Sequence, residues 1–357
     1  MFLRTNKMHK AQAGFSLIEI MVGLVIGLIA TLVILQVFST FEGQKRTTTG
    51  SADAQTNGSI ALFTMGRDVQ TAGFGLPVFD TQNTPLHCNP SPTFDPDNNA
   101  ATANSFDMFP IQIVDGGVGL SDTIRVRYAI DGATTKGGIA SKILNVSGSS
   151  NTVSVANNFG CNNNDVVLLS SGGVCAMTRV SDTDLSDGTD ITLLSTTSAA
   201  AGGSISCMGD WRQYTYSVVN NQLQRNDASS ATATPIVSEV VNLQAQYGIS
   251  ADPKINQISA WVDATGVWAA PGVTSATCDA THANRNCIKA IHVAVVARNG
   301  LLEKTNVTAA APVAWTAPAG APTIDVSTGN AQWQQYRYRS YDTIIPLRNM
   351  IWSFNTL

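Results

Sequence analysis

Residues able to do chemistry are sparse in this chain. Cys278, His282 and Cys287 lie within ten residues and offer two thiols and an imidazole, a donor set that zinc accepts. The stretch SDTDLSDGTD puts Asp182, Asp184, Asp187 and Asp190 within ten residues, hard oxygens of the kind that hold Ca²⁺. Its spacing misses the calcium-loop pattern of helix–loop–helix sites by one residue and lacks the closing Glu, so a solvated acidic turn fits better. Only four histidines occur: His9, His87, His282 and His292. His292 alternates with Ile291 and Val293 and reads as a half-exposed strand residue rather than a base. No Gly-x-Ser-x-Gly elbow, phosphate loop or His-Glu-x-x-His occurs. YRYRSY alternates aromatic and basic residues, but on a strand Tyr336 and Tyr338 share one face and Arg337 and Arg339 the other, as in any amphipathic strand. The sequence therefore predicts a non-enzyme that needs no cofactor and no metal.

The six cysteines, Cys88, Cys161, Cys175, Cys207, Cys278 and Cys287, favour disulfides over zinc if they lie in an oxidising compartment. Loop length favours Cys278 with Cys287 and Cys161 with Cys175, which leaves Cys88 with Cys207.

The compartment is set by the N-terminal segment. Ile20 to Phe38 is a run of 19 residues without a charge, 13 of them Leu, Ile, Val or Phe. That is about the length needed to cross a bilayer. Arg4, Lys7 and Lys10 precede it and hold that end in the cytoplasm, so the chain beyond Phe38 faces the other side. No small-residue cleavage site comes after Phe38, so the anchor is expected to be retained. Glu19 stands at its start. A carboxylate costs about 2.5–3.5 kcal/mol at mid-membrane and less near an end. Insertion tolerates that charge without explaining it.

No proline precedes Pro77, so one helix is expected from about Phe15 to Ala72, closed by Gly73-Phe74-Gly75. Its second half carries Leu62, Met65, Val69 and Ala72 at helical spacing, with Ile60 and Phe63 beside them, a face that packs on a globular head. Glu42 to Gly50 combines two glycines with a β-branched run and is expected to bend or loosen. Residues 77–119 read as loop. Beyond them DTIRVRYAI, NTVSVA, DVVLLSS and IKAIHVAVVAR read as strands, and YTYSVVNNQLQR as a hairpin turning at Asn220-Asn221. SEVVNLQAQYGI fits either a short helix or a strand, and YRYRSYDTIIPLRN a strand broken at Pro346. The fold class is α+β: a long N-terminal helix, transmembrane in its first half, packed on a mostly antiparallel β head. The expected divisions are 1–14, 15–38, 39–76 and 77–357. Only 13% of residues are charged and the net charge is −4, which argues against nucleic acid as a partner.

Lys10 through Gly14, then Phe15 and Glu19 four residues on, resembles the leader of type IV prepilins. The resemblance implies that a prepilin peptidase cuts between Gly14 and Phe15 and methylates the Phe15 amine. Glu19 would then pair with such an amine on a neighbouring subunit and set the register between packed helices, since an ion pair in hydrocarbon costs far less than a lone charge. Gly23 and Gly27 would admit a close helix. GSIALFTMGRDVQTAGFG, IKAIHVAVVARNG and YRYRSYDTIIPLRN are similar to blocks of the PilW-type minor pilins, whereas residues 77–210 match no such block. The likeness implies a structural subunit that primes or caps a pilus at its tip. Its partners would be other minor pilins and the major pilin, met through the N-terminal helix, with the option of a tip adhesin. It would first sit in the inner membrane with a periplasmic head. A minor pseudopilin of a type II secretion system is the alternative. A membrane-anchored periplasmic enzyme or binding protein would require a cleft of paired groups that the sequence does not offer.

Overall fold

The computed structural model describes residues 14–76, 93–94, 104–105, 108–130, 139–147, 151–171, 174–182, 185–195, 199–228, 230, 232–272, 275–315, 322–328 and 330–351. Helix α1 spans Leu17–Gln70. Helical structure continues through Glu42 to Gly50, contrary to the expected loosening. Thr40, Thr48 and Thr56 each donate a hydroxyl to the carbonyl four residues earlier, at 3.0 Å, which satisfies these polar side chains inside the helix. By internal contacts the chain divides into Met1–Ser51 and Ala52–Leu357. That line falls within α1.

In the second unit, β1 (Thr93–Phe94) and β2 (Asn104–Ser105) form a small ribbon. A ten-stranded antiparallel sheet is built from β3 (Ile111–Val114), β4 (Thr123–Ile130), β5 (Ile139–Ser147), β6 (Thr152–Val155), β7 (Val166–Ser171), β8 (Val174–Arg179), β9 (Asp190–Thr192), β10 (Ser204–Val219), β11 (Gln222–Asp227) and β12 (Thr234–Ser238). A second sheet, of four strands, takes the order β14-β13-β15-β16, with β13 at Val240–Ile249, β14 at Ala260–Val262, β15 at Ile288–Arg298 and β16 at Tyr338–Pro346. The short helix α2, Arg348–Ile351, comes after Pro346. β3 falls in the stretch read as loop. SEVVNLQAQYGI is strand.

The long strand β10 organises the large sheet. Its start pairs with β5 and β7, and its second half with β4 and β11. The register shifts between Cys207 and Gly209, where Gly209 adopts φ 68°, so a bulge lets one strand serve both parts. Asn220 (φ 51°) and Asn221 (φ 58°) make the tight turn into β11.

The main core gathers Met65, Val69 and Ala72 of the helix end with Ile111, Val126, Tyr216, Leu243, Tyr247, Ile291 and Val293. Ile60 and Phe63 stay outside it, 45% and 73% exposed, because the buried stripe runs through Ala54, Ala61, Met65 and Val69 instead. β15 is buried along nearly its whole length. One of its faces meets the main core. On the other, Ala294 and Val296 pack under Trp315, Ile324 and Val326 from the segment that joins β15 to β16. His292 is therefore 2% exposed, not half-exposed: its ring lies 5.4 Å from Trp261 and 4.6 Å from Trp315, and Nε2 meets Asp342 Oδ2 at 2.7 Å. Arg127, on the polar side of the β4 alternation, is also buried. Its guanidinium donates to Gln213 Oε1, the Phe109 carbonyl and Gln112 Oε1, which supply the partners a buried cation needs.

Two disulfides join described cysteines: Cys278–Cys287, and Cys161–Cys207. The second overturns both Cys161–Cys175 and Cys88–Cys207. β7 and β8 alternate, so Val166, Leu168, Cys175 and Met177 face one cluster, while Val167, Leu169, Cys161 and Cys207 face another. Proximity in sequence counts for nothing across a sheet. Cys175 is itself disulfide-bonded, and Cys88 lies outside the described residues.

Candidate assembly site

The candidate assembly residues lie at the start of α1. Because the helix begins at Leu17, Ser16 is its N-cap and Glu19 its third residue. Glu19 Oε2 accepts a 3.3 Å hydrogen bond from the Ser16 backbone N–H. This is the return half of a Ser-x-x-Glu capping box, at the end where the helix dipole favours a negative charge. The carboxylate thus has a local task in the folded subunit, besides any pairing with a neighbour. The spacing Ser16-x-x-Glu19 carries that signal in the sequence.

Glu19, Gly23, Gly27 and Thr31 succeed one another at intervals of four, along a single ridge of the helix. The Thr31 hydroxyl turns back onto the Gly27 carbonyl at 2.7 Å, so the ridge presents no free hydroxyl there. A methyl group added at Gly14, Gly23 or Gly27 would meet nothing within 4 Å. Nothing among the described residues requires glycine at these positions. Around the ridge Phe15, Leu17, Leu24, Leu28 and Leu32 are all exposed. The helix is long and apolar enough to cross a membrane, and its most apolar stretch is wholly exposed. Such a surface needs lipid or other helices around it.

The end of the helix is fixed to the head by charge. The Asp68 side chain, 7% exposed, accepts from the Tyr216 hydroxyl at 2.6 Å and from Arg225 Nη1 at 3.1 Å. The Arg225 guanidinium also lies 4.4 Å over the Tyr214 ring. Burial, then the Asp68 carboxylate, pushes the Tyr216 phenol above its usual range. Arg67 Nε stands 3.8 Å from Asp68 Oδ1 on a largely exposed side chain and adds little. The Arg-Asp pair is visible in sequence. Its two partners, about 150 residues away, are not.

The chemical clusters resolve into structure. Cys278 and Cys287 bond each other, and His282 pairs with Asp279. Asp187 Oδ1 accepts from Asn158 Nδ2 and the N–H groups of Thr189 and Asp190, and Asp182 Oδ2 from the Thr192 N–H, so these carboxylates close turns. Asp190 opens β9, and Asp184 lies outside the described residues. Among the described residues no three His, Cys, Asp or Glu side chains gather in a way that could hold a metal. His9, His87 and the leader before Gly14 lie outside the described residues.

A bare apolar helix start with a carboxylate in its first turn, followed in the chain by a disulfide-braced antiparallel head, is the arrangement expected of a membrane-anchored pilin. The family comparisons agree. Residues 9–35 match the prokaryotic N-terminal methylation motif, and residues 211–349 match Type IV Pilus-assembly protein W. Together these matches support a PilW-like type IV pilin, with an N-terminal helix suited to membrane anchoring and an association with the type IV pilus. The second match runs from the latter part of β10 into α2, and residues 58–75 and 77–210 lie outside both. No curated protein and no solved structure matches the chain.

Proposed function

We propose that the protein is a minor pilin that primes or caps type IV pilus assembly at the filament tip. The observation that carries this is the joint match to the methylation motif and to the PilW family on one chain. Processing between Gly14 and Phe15 leaves an amine on Phe15, which Glu19 of a neighbouring subunit meets. The glycine ridge at Gly23 and Gly27 lets that neighbour come close. The disulfides among the described residues suit a head on the oxidising, periplasmic side of the inner membrane. A head of this size suits a low-copy position better than a subunit repeated along a thin fibre. Other minor pilins and the major pilin are the partners this implies, and a tip adhesin is a further candidate.

Mass spectrometry of filaments sheared from the source cells tests the proposal. The expected result is an N-methylated peptide beginning at Phe15, at a small fraction of the major subunit. A mature peptide confined to the envelope would transfer the protein to a type II secretion assembly. A chain that still begins upstream of Gly14 would sink the processing assignment.

A further inference from the structure

A polar cleft opens on the far side of the small sheet, away from the helix end. Its volume is about 340 Å³, near the small end of the roughly 300–1,000 Å³ range of small-molecule sites. Four separate parts of the fold meet there. Asn221 comes from the β10–β11 turn and Arg298 from the end of β15. Asp325 and Asn330 come from the segment between β15 and β16, and Tyr336 and Tyr338 from the entry to β16.

The charge balance narrows what the cleft can take. Arg298 is committed: its Nε donates to Glu239 Oε2 at 2.6 Å, and its guanidinium lies 4.2 Å over the Tyr336 ring. Asp325 adds a carboxylate whose oxygens already accept from Ser327 and Thr328. One neutralised cation and one extra anion give no reason for a phosphate or carboxylate to bind. The lining is also too polar for a purely apolar ligand. What remains is neutral hydrogen bonding beside aromatic rings. The Asn221 side chain has no hydrogen-bond partner among the described residues, and Asn330 Oδ1 is used by the Gln332 N–H while its amide nitrogen is not. Each side-chain amide can both donate and accept, which suits hydroxyl groups.

We infer that this cleft binds a neutral, polyhydroxylated ligand, one or two sugar rings in size, with the amides of Asn221 and Asn330 on its hydroxyls and the tyrosine pair against its C–H face. The inference goes beyond pilus assembly and does not depend on where in a filament the subunit sits.

The test is saturation-transfer difference NMR on the full processed chain in detergent micelles. The probes are methyl glucoside, methyl galactoside and methyl N-acetylglucosaminide, with sialyllactose as the anionic comparison. At least one neutral glycoside is expected to show transfer to its ring protons with a dissociation constant of about 1 mM or tighter. Asn330→Ala and Tyr336→Ser should each weaken it about tenfold, while Ser230→Ala, outside the cleft, leaves it unchanged. Asn221→Asp guards against misfolding, since Asp tolerates the same positive φ yet replaces the amide donor with a charge; it too should weaken binding. Absence of transfer from every neutral glycoside, preference for sialyllactose, or binding indifferent to these variants would each overturn the inference.

Discussion

The Tyr216 hydroxyl donates a 2.6 Å hydrogen bond to Asp68 Oδ2, joining the end of the N-terminal helix to the last part of the long strand β10. Arg225 shares that carboxylate, so one helical side chain satisfies two groups of the sheet. Removal of Asp68 would leave both without their partner. Asp68→Ala is expected to cost about 3–5 kcal/mol, the range for breaking a buried pair from one side. Asp68→Asn, which keeps an acceptor for Tyr216, should cost less. Urea denaturation of the two variants distinguishes them: equal losses would show that the neutral acceptor contributes nothing and the charge carries the joint, whereas an Asp68→Asn variant as stable as the wild type would show that charge plays no part.

Gly58 lies flat against Tyr341. A Cβ at this position would overlap the ring Cδ2. Alanine favours a helix by about 1 kcal/mol over glycine, but the overlap is expected to reverse the sign, with a net loss of about 1–3 kcal/mol. The double variant Gly58→Ala with Tyr341→Ala should recover part of the loss caused by the first change. Strict additivity of the two would mean that the contact does not limit packing there.

Burial raises the Asp122 carboxyl to about 7, against N–H bonds from Gly116 and Ala245 that favour its ionised form, and Asp115 adds to the rise. The folded chain therefore holds a proton between about pH 4 and pH 7 that the unfolded chain has released. This contribution to stability is complete below about pH 4 and is lost as pH rises through 7, a change on the order of 2–4 kcal/mol. Thermal unfolding between pH 5 and 8 should show the decline, and Asp122→Asn should flatten it whatever its own stability. A slope that survives in the variant would assign the effect elsewhere.

Cys161–Cys207 closes 46 residues and Cys278–Cys287 closes 9. By loop entropy, loss of the first should cost about 4 kcal/mol and of the second about 3 kcal/mol. Paired Cys→Ala variants, compared by their melting temperatures, check the order. Non-reducing peptide mapping checks the connectivity directly, and a Cys161–Cys175 peptide would refute the pairing.

Glu19→Gln retains an acceptor for the Ser16 N–H but removes the charge. Processing at Gly14 is expected to proceed normally, with about a tenfold loss of co-purification with partner pilins. Glu19→Ala, which removes the cap as well, should lose at least as much. If both variants co-purify at wild-type levels, the register role of Glu19 is wrong.

Local chemistry makes several features legible from residue order alone. The charge-free run set the membrane-length helix, Gly73-Phe74-Gly75 marked its stop, and Asn220-Asn221 announced a hairpin because that pair tolerates positive φ. Glu19 declared itself as one carboxylate at the edge of an apolar run. Tertiary structure decided everything that depends on which distant surfaces meet. Cys161 found Cys207 because both face the same side of the large sheet, while Cys175 faces the other. His292 is buried because a later segment lays Trp315 over it, and Arg127 because Gln112, Gln213 and the Phe109 carbonyl converge on it. Asp68 became a joint only once Tyr216 and Arg225 came within reach. Periodicity tells which side of an element is apolar, but what covers that side is fixed by contacts between residues far apart in the chain, and no local pattern records them.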